Sequence, residues 1–307
     1  MRLDLAAGFD SLTSRSLSLR PSRPCRGFPS RSILDFARND SWCKESAVRL
    51  NRFLAAGGIG SRRHCDELIA AGRVTINGKI CTDFSTQPDA RDHVKVNGKL
   101  VHIALPLTIM LHKPAGFVST RRDPRARDTI LDLLPAKFSR LFNIGRLDAQ
   151  SEGLLILTND GDLAQILTHP RYKIQKEYEV TLDRPWDPEL APKLLRGILL
   201  DGERARVARL HSVSPVRLRV VLRQGINRQI RRMFEAIGYR VKDLIRFRIA
   251  DLRLGDLPRG HWRALTSREL NSLRGSSEVV AAGADRGSLK AGPLRNRRGQ
   301  RPRLQVQ

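Results

Sequence analysis

The sequence predicts an α+β chain with two folded parts, a small αβ module followed by a larger domain built on a mainly antiparallel sheet. Three observations predict this. Two Asn-Gly pairs, Asn77-Gly78 and Asn97-Gly98, each stand between short runs of β-formers, the strongest short-range hairpin signal. Beyond about residue 106, strand-like runs outnumber helical ones and do not alternate with them regularly, which argues against stacked βαβ units. With 307 residues and 40% hydrophobic content, the chain can bury at least one sizeable core.

Residues 1–46 are rich in Ser and Arg and lack a hydrophobic period, so they are expected to form a disordered extension. A transit segment and a misplaced start are the alternatives; Asp4, Asp10, Asp35, Asp40 and Glu45 count against the transit segment. A compact module is expected over residues 47–103. Val48, Leu50, Phe53 and Leu54 recur at helical spacing, and Gly57-Gly58 stops the helix. Ser61 is placed to cap a second helix, Arg62 to Ala71, with Cys65, Leu68 and Ile69 facing inward. The two Asn-Gly hairpins complete the module.

The larger domain is expected over residues 106–272. Its strand-like runs are 108–112, 154–158, 177–182, 216–223 and 244–254, and its helical runs are 162–167, 188–195 and 227–237. Residues 275–307 are rich in Gly, Ala and Arg and are expected to be a disordered basic tail.

The formal charge is +25. A protein this basic usually meets a polyanion, and nucleic acid leads the candidates. The tail holds seven Lys or Arg and two acids, so it supplies only +5 of that charge; most of the excess lies in the folded middle. The four cysteines, Cys25, Cys43, Cys65 and Cys81, form no Cys-x-x-Cys pair, and no Cys/His cluster has zinc-ligand spacing. Reduced thiols, a cytoplasmic location and no metal are therefore expected. No apolar run approaches the roughly 20 residues of a membrane helix, so no membrane partner is expected.

In the small module, Arg49, Arg52, Arg62, Arg63, Arg73 and Lys79 crowd around the helices and the first hairpin. Arg62-Arg63 opens the second helix, where the dipole disfavours cations unless phosphate is near. The bland alternative is a solvated surface. The succession Val48-Arg49-Leu50-Asn51-Arg52-Phe53-Leu54, Gly60-Ser61-Arg62-Arg63, and Gly72-Arg73-Val74-Thr75-Ile76-Asn77-Gly78-Lys79 resembles the S4 RNA-binding domain. That resemblance implies a grip on structured RNA through shape and phosphates.

The sharpest motif is Gly145-Arg146-Leu147-Asp148, followed by Ser151-Glu152-Gly153-Leu154-Leu155-Ile156-Leu157-Thr158-Asn159-Asp160-Gly161. A lone loop Asp is more often a cap or turn residue. The whole string, however, resembles the signature of the ribosomal RNA pseudouridine synthases of the small- and large-subunit type, with Ser151 where Thr is common. Lys176-Glu177-Tyr178-Glu179-Val180 resembles that family's Lys-x-Tyr-x-Val strand. Gln224-Gly225-Ile226-Asn227-Arg228-Gln229-Ile230-Arg231-Arg232-Met233 resembles its Gly-x-Asn-Arg-Gln-Ile-Arg-Arg-Met stretch, although an amphipathic basic helix would read the same. His112-Lys113-Pro114-Ala115-Gly116 fits its opening Lys-Pro-x-Gly turn, with His112 where Asn is frequent. The match spans about 48–270.

The resemblance implies an α+β pseudouridine synthase domain with a cleft across its sheet. It implies Asp148 as the catalytic carboxylate, Tyr178 in the active site, Arg231 as the cation paired with Asp148, and Leu244 lining the uracil pocket. Arg146, Lys176, Asn227 and Arg228 are expected to contact RNA. The chemistry agrees: isomerising uridine breaks the C1′–N1 bond, turns the base and rejoins it through C5, without redox change or group donor, so no cofactor is expected. A buried carboxylate needs a cation nearby to stay ionised, and an aromatic ring can stack on uracil while a hydroxyl helps move a proton. Whether Asp148 attacks the sugar or the base stays open. The expected partner is ribosomal RNA or a pre-ribosomal particle, and the expected state is a monomer. The Asp123-Pro124 loop, His169-Pro170-Arg171 and the basic tail favour the large-subunit group over the small-subunit one. Two rival readings remain, a non-catalytic ribosome-assembly factor that keeps the fold to bind RNA, and a DNA-binding or transcription-linked protein motivated by charge alone.

Overall fold

A computed structural model describes residues 48–285 except 90, 121, 122 and 126, with side chains described to residue 276. The expected extension, residues 1–46, lies outside the described residues.

The chain begins with two helices, α1 (Leu50–Ala56) and α2 (Arg62–Ala70). Leu50 and Leu54 of α1 meet Cys65 and Ile69 of α2, because residues four apart share a helix face. Ser61 caps α2 as expected, its Oγ accepting the His64 N–H at 3.2 Å. Two hairpins follow, β1 (Val74–Ile76) with β2 (Lys79–Ile80), and β3 (Val94–Val96) with β4 (Lys99–Leu100). Asn77-Gly78 and Asn97-Gly98 have positive φ throughout, as a type I′ turn requires. The hairpins join through β1 and β3 into a four-stranded sheet, β2-β1-β3-β4. Val74, Val94 and Val96 pack under the helices.

The larger part contains β5 (Thr108–Lys113), β6 (Phe142–Ile144), β7 (Glu152–Thr158), α3 (Gly161–Thr168), β8 (Lys176–Leu182), α4 (Ala191–Arg196), β9 (Ile198–Leu200), β10 (Glu203–Ala205), β11 (Arg209–Ser214), β12 (Arg217–Leu222), α5 (Gln229–Glu235), β13 (Val241–Ile249), β14 (Leu252–Arg253), β15 (Trp262–Ala264) and α6 (Ser267–Asp285). A nine-stranded sheet runs β11-β12-β8-β13-β7-β5-β15, with β6 on β7 and β14 on β13. Its strand pairs are antiparallel except β13 with β7, which run parallel through two registered pairs, Ile245↔Glu152 and Arg246↔Gly153.

Two cores pack against this sheet. One gathers Tyr178, Val180, Leu218, Val220 and Leu244 under Ile230, Met233 and Phe234 of α5. The other gathers Met110, Leu154, Ile156 and Ile249 under Leu163 and Leu167 of α3 and Leu273 of α6. A third cluster, with Ile109, Leu111, Leu155 and Phe138, fills the reverse face of β5 and β7.

Three expectations change. The run 244–254 is two strands, because the chain turns at Ala250, with φ +49, between β13 and β14. The expected helix 188–195 is a 3-10 turn, Pro188–Leu190, that leads into α4. The tail expected to be disordered from 275 is helical up to Asp285, because α6 packs Leu273 on α3; its remainder, 286–307, lies outside the described residues.

Candidate active site

Asp148 lies in the loop between β6 and β7, partly exposed. Gly145 opens that loop at φ +71, a conformation glycine adopts without steric cost. Each side of the loop is tied by polar groups. Asn143 Nδ2 donates to the Gly145 carbonyl at 2.6 Å. The Ser119 hydroxyl donates to the Leu147 carbonyl at 2.8 Å and accepts the Leu147 N–H at 3.1 Å. The Gly116 N–H donates to the Ala149 carbonyl at 2.8 Å.

The strongest tie is Lys113, the last residue of β5. It is fully buried, and its Nζ donates to the carbonyls of Pro114 (2.9 Å), Asp148 (3.1 Å), Ala149 (3.2 Å) and Ser151 (2.7 Å). Burial pushes its amine down to about 8, against the opposing pull of Glu152 and Asp148. A buried ammonium is tolerated only when such acceptors surround it. Lys113 therefore fixes the backbone that presents Asp148.

The partner of Asp148 differs from expectation. Among the described residues its ion pair is made by Arg228, with Nη1 3.8 Å from Oδ2, a through-space contact too long for a hydrogen bond. Arg228 caps the N-terminus of α5 in the left-handed region, with φ +48, and this turn carries its side chain toward the loop. Arg231 does not make that pair. One turn into α5, its guanidinium donates to the Val241 carbonyl at 2.8 Å and the Gln150 carbonyl at 3.1 Å. These contacts tie the first turns of α5 to the start of β13 and to the residue two before β7. Burial and the neighbouring Arg228 lower the Arg231 pKa, while Asp148 opposes the shift, so Arg231 still feels the carboxylate.

Tyr178 is buried in the core that also holds Leu147 and Leu244. In register it lies opposite Arg246 of β13 and Val220 of β12, so these three side chains share one face. Lys176, two residues earlier, points the same way. Arg146 and Asn227 are exposed. Behind the loop, a cleft of about 670 Å³ is lined by Gly116, Gln150, Glu179, Arg217, Arg231 and Arg259, among others. Among the described residues no group of His, Cys, Asp and Glu could hold a metal ion, and no helix is long and apolar enough to cross a membrane.

Residues 107–236 match the family described as RNA pseudouridylate synthase, and residues 48–94 match the S4 domain. The chain is 41% identical over 243 residues to the dual-specificity RNA pseudouridine synthase RluF of Escherichia coli (strain K12), covering 76% of this chain and 83% of that protein. It is 38% identical over 232 residues to the ribosomal large subunit pseudouridine synthase B of Bacillus subtilis (strain 168), covering 74% and 95%. The chain belongs to the RNA pseudouridine synthase family. A solved pseudouridylate synthase superposes with a TM-score of 0.55 at 31% identity, covering 74% of this chain and 99% of that one.

In this pseudouridine synthase, the basic residues of the S4 domain divide in two. Arg49, Arg62, Arg63, Arg73 and Lys79 are exposed, with Arg73 also donating to Asn97 at 3.1 Å. Arg52 instead forms an ion pair with Asp162 in the first turn of α3. Its charge thus joins the S4 domain to α3 of the synthase domain, because Asp162 favours the helix N-terminus and attracts it there. Sequence reading quoted Lys113 within its motif but gave it no role, and it passed over Ser119. The signal for Lys113 was available: a lone lysine that closes an apolar strand just before Pro114.

Proposed function

We propose that this enzyme converts specific uridines of ribosomal RNA to pseudouridine, with Asp148 as the attacking carboxylate and the large ribosomal subunit as the preferred source of substrate. The observation that carries this reading is the Asp148 loop, held by Lys113 and Ser119 beside Tyr178. The names of the E. coli and B. subtilis relatives support RNA, and in one case the large subunit, as substrate.

Each residue acts through its own atoms. The Asp148 carboxylate attacks the sugar or the base, or stabilises positive charge on the sugar. Arg228 places a positive charge beside it, and Arg231 holds the Gln150 carbonyl of the same loop. Tyr178 stacks on the uracil, and its hydroxyl serves in moving a proton. Leu244 bounds the base on its apolar side. Arg146 and Asn227 contact the RNA that flanks the extruded nucleotide. Arg49, Arg62, Arg63, Arg73 and Lys79 hold phosphates of a folded RNA.

Tritium release from C5-labelled uridine in ribosomal RNA tests the reading. The native enzyme is expected to release tritium, and Asp148→Ala to release none while still binding RNA. Undiminished release from Asp148→Ala would refute the assignment. Mapping pseudouridines in ribosomal RNA from cells with and without the gene would name the position, and loss confined to the small subunit would overturn the large-subunit preference.

A further inference from the structure

Two cations beneath the Asp148 loop, one buried and one half-buried, have no carboxylate partner among the described residues. Arg246 is 2% exposed. Its Nε donates to the Leu154 carbonyl at 2.9 Å, but its Nη2 has no partner among the described residues. Among the described residues, Lys176 Nζ reaches the Ile174 carbonyl alone, at 3.5 Å. The neighbouring acids are engaged elsewhere: Glu177 with Arg248, Glu152 with Arg259 and Asp148 with Arg228. Two like charges in a core with an orphaned donor are costly unless something arrives to use them.

Their position says what arrives. Arg246 lies directly opposite Tyr178 in the β8–β13 register, and Lys176 precedes Tyr178 by two residues on β8. All three side chains therefore line one face of the sheet, where Tyr178 packs in the core that also holds Leu147. Leu147 is the residue before Asp148, and the Lys113 amine on that loop senses the Arg246 charge.

We infer that Lys176 and Arg246 form the charge sink for the detached uracil, donating to its O2 and O4 oxygens while the base turns over Tyr178. This rests on the synthase reading above. When the C1′–N1 bond breaks, its electron pair leaves with the base. The base becomes an anion with charge spread over N1, O2 and O4, and C1′ is left electron-deficient. The turned base then gives a ring electron pair to form the C5–C1′ bond. The proton on C5 is lost and N1 gains one, so the net change is isomerisation. If Asp148 first adds to the base instead, the electrons displaced at C6 also collect on O4. Either route loads negative charge onto the same oxygens. Burial, with Arg246 beside it, pushes the Lys176 amine down to about 8, so at neutral pH it is still a charged donor.

The test is steady-state tritium release by the full chain acting on a ribosomal RNA transcript, with Lys176→Met, Lys176→Arg and Arg246→Lys compared with the native enzyme. Lys176→Met is expected to lower kcat by about 100-fold, the cost of removing one donor to a developing anion, with little change in KM. Lys176→Arg is expected to recover about ten-fold of that loss, because a charged donor returns. Arg246 lies in the core, and if Arg246→Lys fails to fold, Lys176→Met still decides. Native kcat in Lys176→Met would overturn the inference, and so would a raised KM with intact kcat, which would make the pair a ground-state phosphate grip. The synthase reading fails separately, through absence of release from the native enzyme.

Discussion

Gly153 is the point at which a single added methyl group should do most damage. It is the second residue of β7, opposite Arg246, with φ +110, and a Cβ built there would stand 2.2 Å from the Arg246 carbonyl oxygen, 2.7 Å from its nitrogen and 2.9 Å from its carbonyl carbon. All three atoms are backbone, so no side chain can swing aside. Relieving the closest contact to an ordinary separation requires β7 and β13 to part by about 1 Å. Gly153→Ala combines a disfavoured backbone conformation, about 1–3 kcal/mol, with overpacking, about 1–3 kcal/mol. A loss of about 4 kcal/mol is therefore expected, a large share of a stability of about 5–15 kcal/mol. Urea unfolding should show a lower midpoint at unchanged m. Tritium release should fall too, because the parting strands carry the Arg246–Leu154 bond and the Arg231–Gln150 bond with them. Gly145→Ala is the control: its φ is +71 but nothing lies within 4 Å of an added Cβ, so about 1 kcal/mol is expected. A Gly153→Ala protein as stable as the Gly145→Ala protein would refute the reasoning.

Other outcomes follow from the same geometry. Lys113 has a folded pKa of about 8 against an ordinary 10.5. Between those values the unfolded chain holds a proton that the folded one lacks, so this residue's contribution to stability rises with pH, by about 1–2 kcal/mol from pH 8 to 9.5. Denaturation of the native enzyme and of Lys113→Met at both pH values should show a smaller rise in Lys113→Met, where Lys176, also held at about 8, still contributes, and parallel curves would show that the Lys113 amine does not titrate there. Arg228→Gln should change stability by less than about 1 kcal/mol, because the ion pair is partly exposed, yet it should slow tritium release; an unchanged rate would mean that the pair does nothing for Asp148. Ser61→Ala should cost about 1 kcal/mol through the lost cap of α2, measured by thermal unfolding, and an unchanged midpoint would show that the cap is idle.

Local chemistry made some elements readable and hid others. The Asn-Gly hairpins and the Ser61 cap are set by residues adjacent in the chain, and they fell where expected. The hairpin β9–β10 turns at Asp201-Gly202, with φ +50 and +82, the same kind of signal, but its strands are three residues each and show no clear alternation. β11 alternates weakly, with a largely exposed pattern, because it lies at the sheet edge and buries little. At the site, motif residues pointed to Asp148 and Tyr178, but which arginine faces the carboxylate depends on the left-handed turn at Arg228. Arg has no special preference for that conformation, so composition cannot reveal it. The roles of Lys113 and Arg246 depend on contacts across 35 to 92 positions of sequence, which no local pattern records.

The parallel seam between β7 and β13 has a mechanical consequence. A sheet of nine strands narrows there to two registered pairs, at the strand that the Asp148 loop leads into. Fewer backbone bonds resist bending across that line than across the six-pair β8–β12 or β5–β7 ladders on either side. The two halves of the sheet are also coupled across the seam by side chains, Arg246 to the Leu154 carbonyl and Arg231 to the Gln150 carbonyl, so bending along that line loads two guanidinium hydrogen bonds.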